Sequence, residues 1–135
     1  MKNILISFLL IFLSLTILSC SDDPINSITF QNLASGGVYV SFRGEIIDVP
    51  SGQVVELKDV DKGEFEYETV YEIPPGASGF AAEGEMSGSF ILKAGTKILV
   101  IYSSVLSEEG TYTIYASVTT SDDQTVDENP NPIFP

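Results

Sequence analysis

Glu64-Phe65-Glu66-Tyr67-Glu68-Thr69-Val70-Tyr71-Glu72-Ile73 is the stretch whose reading decides the fold class. Phe65, Tyr67, Tyr71 and Ile73 alternate there with Glu64, Glu66, Glu68 and Glu72. In an extended strand, side chains at i and i+2 share a face, so this spacing sorts the rings to one side and the carboxylates to the other. A helix, with its period of 3.6 residues, would scatter both sets around its circumference. The segment reads as a strand with a buried aromatic face and a solvated acidic one. Pro74-Pro75-Gly76 ends it, because proline has no N–H to give to a ladder.

The same period of two extends in both directions. Upstream, residues 28–33 read as a first strand closed by Ser35-Gly36-Gly37. In the second, Val38, Val40 and Phe42 alternate with Tyr39, Ser41 and Arg43. Residues 45–49 continue or pair with it until Pro50-Ser51-Gly52, and residues 53–60 form a further strand before the turn Asp61-Lys62-Gly63. Downstream, the Gly- and Ala-rich residues 77–85 read as a loop or a weak edge segment. Residues 87–92, 97–105 and 111–120 are expected at the centre of the sheet system, the last two joined at Glu108-Glu109-Gly110. Ile98-Leu99-Val100-Ile101-Tyr102 is apolar at both parities, which suits a strand covered on both faces. Tyr112, Ile114, Ala116 and Val118 are the inward set of the last strand. Residues 28–120 thus predict an all-β domain, a single immunoglobulin-like antiparallel β-sandwich of seven or eight strands.

Composition removes several function classes. Six Lys+Arg stand against nineteen Asp+Glu, a formal charge of −13 that would repel nucleic-acid phosphates. The 135 residues contain no His, so the commonest proton shuttle and metal ligand is missing, and one Cys allows neither an internal disulfide nor a multi-cysteine zinc site. A Ser nucleophile would have to use Lys or a carboxylate as its base. Lys58, Lys62, Lys93 and Lys97 all sit in hydrophilic contexts near turns, and catalysis is not expected.

The N-terminus carries an address. Lys2 gives a positive start, and residues 4–18 are apolar except for Ser7, Ser14 and Thr16. Fifteen residues fall short of the roughly 20 that cross a bilayer core, and the pattern is that of a secretory signal over residues 1–19. Ile17-Leu18-Ser19-Cys20 resembles the lipobox of bacterial lipoproteins, and Ser21-Asp22-Asp23 resembles the acidic segment that follows the cysteine in many surface-exported members. The resemblance implies cleavage between Ser19 and Cys20, a diacylglycerol on the Cys20 thiol and an acylated new amine. It implies a lipid-anchored protein of the Gram-negative outer membrane, on the periplasmic or the outer face. Two or more acyl chains hold a protein firmly where one holds marginally. The mature chain also loses Lys2 and becomes one unit more negative, so an anionic bilayer would repel the body that the lipid tethers.

Residues 20–27 are then a lipidated cysteine and polar tether. Residues 121–135, acidic and rich in proline, are expected to be disordered, with docking of Ile133 and Phe134 on the sandwich as the alternative. Val38-Tyr39-Val40-Ser41-Phe42-Arg43-Gly44, followed by Val55-Glu56-Leu57-Lys58-Asp59-Val60-Asp61-Lys62-Gly63-Glu64-Phe65, is similar to small carboxypeptidase regulatory-like and PEGA-type sandwich modules. That resemblance implies a non-catalytic spacer or binding module.

Two candidate sites follow from the residues. Asp59, Asp61 and Glu64 place three carboxylates around a glycine turn, a set that suits calcium; Lys62 among them suits a plain polar turn. No other cofactor is expected. Tyr39 and Tyr115 lie opposite in parity to the apolar sets of their strands, and Arg43 shares the parity of Tyr39, so these three are candidates for an outer face that binds protein or glycan. The expected roles are a binding or structural module at the cell surface, an accessory subunit of an envelope complex, or a calcium-stabilised carbohydrate-binding module.

Overall fold

The computed structural model describes residues 25–122, with the side chain of Asp122 left aside. The signal segment 1–19, the Ser19–Cys20 cleavage and lipidation site, most of the tether and nearly all of the 121–135 tail lie outside the described residues. Nine strands follow in chain order: β1 (Ser27–Asn32), β2 (Val38–Phe42), β3 (Glu45–Val49), β4 (Val54–Lys58), β5 (Gly63–Tyr71), β6 (Gly79–Gly84), β7 (Ser87–Leu92), β8 (Thr96–Leu106) and β9 (Thr111–Asp122). They form a five-stranded sheet in the order β4-β1-β8-β9-β6 and a four-stranded sheet in the order β3-β2-β5-β7. The architecture is an all-β sandwich.

Alternation decides which side chains lie between the sheets. In β2, Val38, Val40 and Phe42 are buried while Tyr39 and Ser41 face out; in β9, Tyr112, Ile114 and Ala116 are buried. β5 buries Tyr67 and Thr69 and half-buries Phe65 and Tyr71, with Glu64, Glu66 and Glu68 exposed. Ile73 lies past the end of β5 and is exposed, so the inward set stops at Tyr71. Phe90 is the hub of the core. It stacks on Tyr67 with ring centres 4.1 Å apart and meets Phe42 at 5.9 Å and Phe30 of the opposite sheet at 6.3 Å.

Three features differ from the sequence expectation, each for a physical reason, and one more resolves an alternative it left open. First, the sandwich is not purely antiparallel: β1 runs parallel to β8, and β6 parallel to β9. Periodicity assigns faces and says nothing of neighbours that no tight turn connects. Second, of the loop or weak edge segment expected over residues 77–85, the structure holds the edge segment, β6, exposed from Phe80 to Gly84 because it is the sheet edge. Third, β7 is also an edge strand, so of the last three expected strands only β8 and β9 are central. Fourth, Leu99 and Ile101 on the outer face of β8 are half-buried, shielded by strands on either side, and among the described residues no third layer lies above them.

The β2–β3 connection is a two-residue hairpin in which Phe42 pairs with Glu45 and both loop residues have positive φ, 53° at Arg43 and 75° at Gly44. That is the type I′ turn whose twist matches paired strands; glycine takes its second position without strain. At the other end of the molecule the chain leaves the sheet at Gly84, with φ 84°. A Cβ there would lie 2.2 Å from the Ala116 carbonyl oxygen. Gly84→Ala is expected to cost about 2 kcal/mol, limited because an edge strand relieves the clash by pulling away from β9. Urea denaturation gives the loss, and amide exchange in β6 shows where the strand has lifted.

Polar groups stitch the ends of β1. Asn26, just ahead of it, accepts from Thr96 N–H through Oδ1 at 2.8 Å and from Val60 N–H through its own carbonyl at 3.2 Å. Asn32, its last residue, is fully buried. Its Nδ2 donates to the carbonyls of Gly36 (2.9 Å) and Val49 (2.8 Å), and its Oδ1 accepts from Ala34 N–H (2.9 Å). Between the sheets, the Tyr102 and Thr69 hydroxyls lie 2.9 Å apart. Burial pushes the Tyr102 phenol up to about 12, against a smaller lowering by the Thr69 hydrogen bond. A phenol that ionises near 10 when unfolded and near 12 when folded favours the folded state fully below pH 10 and loses that contribution as pH rises through 12. The urea midpoint is expected to fall across pH 10–12, by the equivalent of about 2 kcal/mol from this residue. A Tyr102→Phe variant, weaker at neutral pH, should show a shallower fall.

Candidate functional site

The register places the surface side chains in rows. On the outer face of the four-stranded sheet, Ser41 lies opposite Ile46 on one side and Glu68 on the other; Glu68 pairs with Ser87, Glu66 with Ser89 and Glu64 with Ile91. Tyr39 lies between Asp48 and Val70. The carboxylates of β5 thus form one row, flanked by serines on both neighbouring strands. An open hollow of about 530 Å³ runs over this row, lined by Ser41, Arg43, Glu66, Glu68, Ser87 and Ser89. Its lining is mainly hydroxyl and carboxylate, with the Arg43 guanidinium at one end and Tyr67 beneath, suited to hydrogen bonding with polar hydroxyl or amide groups.

The outer face of the five-stranded sheet is of another kind. Across it run Thr29–Leu99–Thr119, Gln31–Ile101–Ser117 and Ser103–Tyr115–Glu83. Hydroxyls and aliphatic side chains dominate, and the carboxylates Glu56 and Glu83 stand apart at its two edges instead of in one row. The acidic charge visible in the composition is therefore distributed unevenly, with a dense row on one face.

Tyr39, Arg43 and Tyr115 do not form one surface. Tyr39 and Tyr115 belong to different sheets and face opposite sides of the sandwich. Tyr39 Oη donates to Glu72 Oε1 at 2.5 Å, while Glu72 Oε2 accepts a longer bond, 3.4 Å, from Gly37 N–H. That hydrogen bond first, and the Glu72 charge second, raise the Tyr39 phenol above its ordinary value. Arg43 sits in the hairpin turn, four strand residues or about 13 Å along from Tyr39. Its guanidinium lies 5.5 Å from the centre of the Phe65 ring and 3.8 Å from Asp61. Both partners of the ion pair are well exposed, so the pair contributes little, and the arginine serves mainly to cover the rim of the core. Tyr115 is partly exposed between Ser103 and Glu83.

The three carboxylates of the calcium reading do not converge. Asp59, with φ 55°, starts the turn; Asp61 faces Arg43; Glu64 belongs to the outer row of β5 opposite Ile91. Among the described residues no group of three acidic, histidine or cysteine side chains is close enough to hold a metal ion. Glu85 is occupied too, its Oε2 accepting the Val118 N–H at 2.7 Å.

Sequence reasoning missed the residues that do most of the polar work: Asn26, Asn32, Glu72 and Glu85. Each bonds a backbone group distant in sequence, except where Asn32 also folds back on its own loop. The only trace they leave is a polar residue beside an apolar run, a weak signal. Tyr112 Oη is the one buried side-chain oxygen or nitrogen without a hydrogen-bond partner among the described residues.

Fold and surface together define a small two-sheet sandwich with one acidic, serine-flanked face and one hydroxyl-rich face. No protein-family model matches the chain, and no curated protein matches it.

Proposed function

We propose that this is a lipid-anchored protein of the Gram-negative cell envelope whose β-sandwich serves, without catalysis, as a binding or structural module at the outer membrane. The observation that carries the reading is the position of β1. Six residues separate Cys20 from Ser27, where β1 begins, and β1 is paired along both edges, to β4 and to β8. A tether attached at Cys20 would pull on a strand held by two ladders and by Asn26 and Asn32 at its ends, not on a fraying terminus. The acidic row and the serine-flanked hollow support an outward, solvated face available to protein or glycan hydroxyls. The absence of His from the chain supports a role outside acid–base catalysis.

Replacing Cys20 by Ala is expected to move the protein from the detergent phase to the aqueous phase on phase separation of a cell extract. A variant that stays with the detergent would refute lipid anchoring. Protease treatment of intact cells then reports the membrane face, since a periplasmic domain would be protected. A stoichiometric partner recovered from solubilised envelopes would turn the reading toward a subunit of an envelope complex.

A further inference from the structure

Strand directions sort the loops of the sandwich to two ends. β1 and β8 run side by side in one direction, β4 and β9 run against them, and residues 59–62 lead from the end of β4 into β5. The end where the chain enters β1 therefore gathers Asn26, the Arg43–Gly44 turn, residues 59–62, residues 93–95 and the close of β9. Lys2 aside, every Lys and Arg of the chain lies there: Arg43, Lys58, Lys62, Lys93 and Lys97. The opposite end holds residues 33–37, residues 72–78 and the β8–β9 turn, and none of these cations. β8 alone, eleven residues long, spans about 36 Å. The Debye length in physiological salt is about 8 Å, so cations at one end leave the carboxylates of the other unneutralised.

The far end also carries exposed apolar side chains. Leu33, Phe80, Val105 and Leu106 are each at least half exposed. Leu106 and Phe80 flank Tyr112 in one row, and Val105 and Ala81 flank Thr113 in the next, so apolar groups lie on both faces of the tip formed by β8, β9 and β6. Glu108 and Glu109 are exposed in the turn beyond them, and Glu83 lies opposite Tyr115. Hydrogen bonds hold the turn in place. Gly110 N–H donates to the Ser107 carbonyl at 3.0 Å, and Ser107 N–H to the Thr111 carbonyl at 2.9 Å. Ser78 ties the turn to the start of β6, its N–H donating to the Gly110 carbonyl at 2.8 Å and its hydroxyl to the Glu109 carbonyl at 3.2 Å.

We propose that this tip is a docking surface for a basic protein segment that carries apolar side chains. The partner's apolar groups cover Phe80, Val105 and Leu106, and its Lys or Arg groups meet Glu83, Glu108 and Glu109. Because the turn is fixed beforehand, docking has little backbone left to order. Only six residues join Cys20 to Ser27, so the tether holds the near end to the bilayer and the tip points away from it. That orientation rests on the lipid anchoring proposed above; the match of charge and apolar surface does not.

Titration of the full Cys20→Ala chain with a short peptide of alternating lysine and leucine, followed by amide NMR, tests this. The largest shifts are expected over residues 79–83 and 105–111. A lysine–serine peptide of equal charge should bind about tenfold more weakly, because it buries no aliphatic side chains. Phe80→Ser and Leu106→Ser should each weaken binding about fivefold, and Glu45→Gln at the other end should leave it unchanged. Both truncated side chains are exposed, and Leu106→Ser carries the test if Phe80→Ser loosens the edge strand. No saturable shift, largest shifts over Glu64, Glu66 and Glu68, or equal binding of the two peptides would overturn the proposal. Tip shifts that grow with protein concentration alone would overturn it too, by assigning the tip to a second copy. The readouts need no anchor: a Cys20→Ala chain that stays with detergent counts against anchoring, while docking is judged by the peptide.

Discussion

Asn32→Leu is expected to cost about 3–5 kcal/mol, the largest effect of any single polar substitution in the sandwich. The estimate comes from counting groups. Leu keeps the branching and heavy-atom count of Asn but strips partners from the Gly36 and Val49 carbonyls and the Ala34 N–H, all three in buried residues. Each buried backbone group left unpaired costs about 1–3 kcal/mol, and the gain from burying an aliphatic side chain offsets part of the sum. A domain of this size has about 5–15 kcal/mol to lose, so the variant should sit near its unfolding midpoint at modest urea. Asn32→Asp separates shape from hydrogen bonding. It retains an acceptor for Ala34 but turns two donations into contacts between a carboxylate and carbonyl oxygens, so it should be no more stable than the Leu variant. Urea unfolding followed by circular dichroism measures both. An Asn32→Leu loss below about 1 kcal/mol would mean that the loop between β1 and β2 repacks to recover its hydrogen bonds.

The contrast between Asn32 and the strand around it marks how far the sequence is legible. Residues 64–72 declare their faces because every second side chain is a ring or an aliphatic group and the rest are carboxylates, and burial follows that alternation up to Tyr71. The inward sets of β2 and β9 were readable for the same reason. Direction was not: Ile28, Ile98 and Phe30 would alternate identically beside a parallel or an antiparallel neighbour, and β1 and β8 are joined by no short turn to decide it. β6 could be read only as a loop or an edge segment, because Gly79, Ala81, Ala82 and Gly84 carry too little side chain to show a period, although the ladder to β9 needs only their backbone. The site fared less well. Tyr39, Arg43 and Tyr115 were grouped by parity, and parity cannot say that two strands belong to different sheets. Asp59, Asp61 and Glu64 were grouped by nearness in sequence, and the start of β5 at Gly63 sends Glu64 into a row of its own. Local spacing fixes a side chain's face; convergence is a property of topology.

Phe90→Ala, the second large effect, tests whether that topology has one centre. Phe90 belongs to β7, an edge strand by order, yet its side chain is buried and touches aromatic rings on three other strands: Tyr67 at 4.1 Å, Phe42 at 5.9 Å and Phe30 at 6.3 Å. Truncating a buried Phe removes its transfer free energy and leaves a cavity, together about 3–5 kcal/mol. Here relaxation into the cavity is hindered, because the neighbouring rings are themselves held: the Tyr67 hydroxyl donates to the Glu85 carbonyl at 2.9 Å, and Phe42 packs edge-on against Phe65 at 5.7 Å. The loss should therefore lie in the upper half of that range, and Phe90→Leu, which refills most of the volume, should lose about half as much. If β7 were an edge strand in energy as well as in order, both variants would cost little and would loosen only β7. The prediction is the opposite, a cooperative loss felt by both sheets. Thermal melting read at two probes decides between them, with the amides of β1 and of β7 expected to lose protection together in Phe90→Ala, and a transition confined to β7 counting against a single shared core.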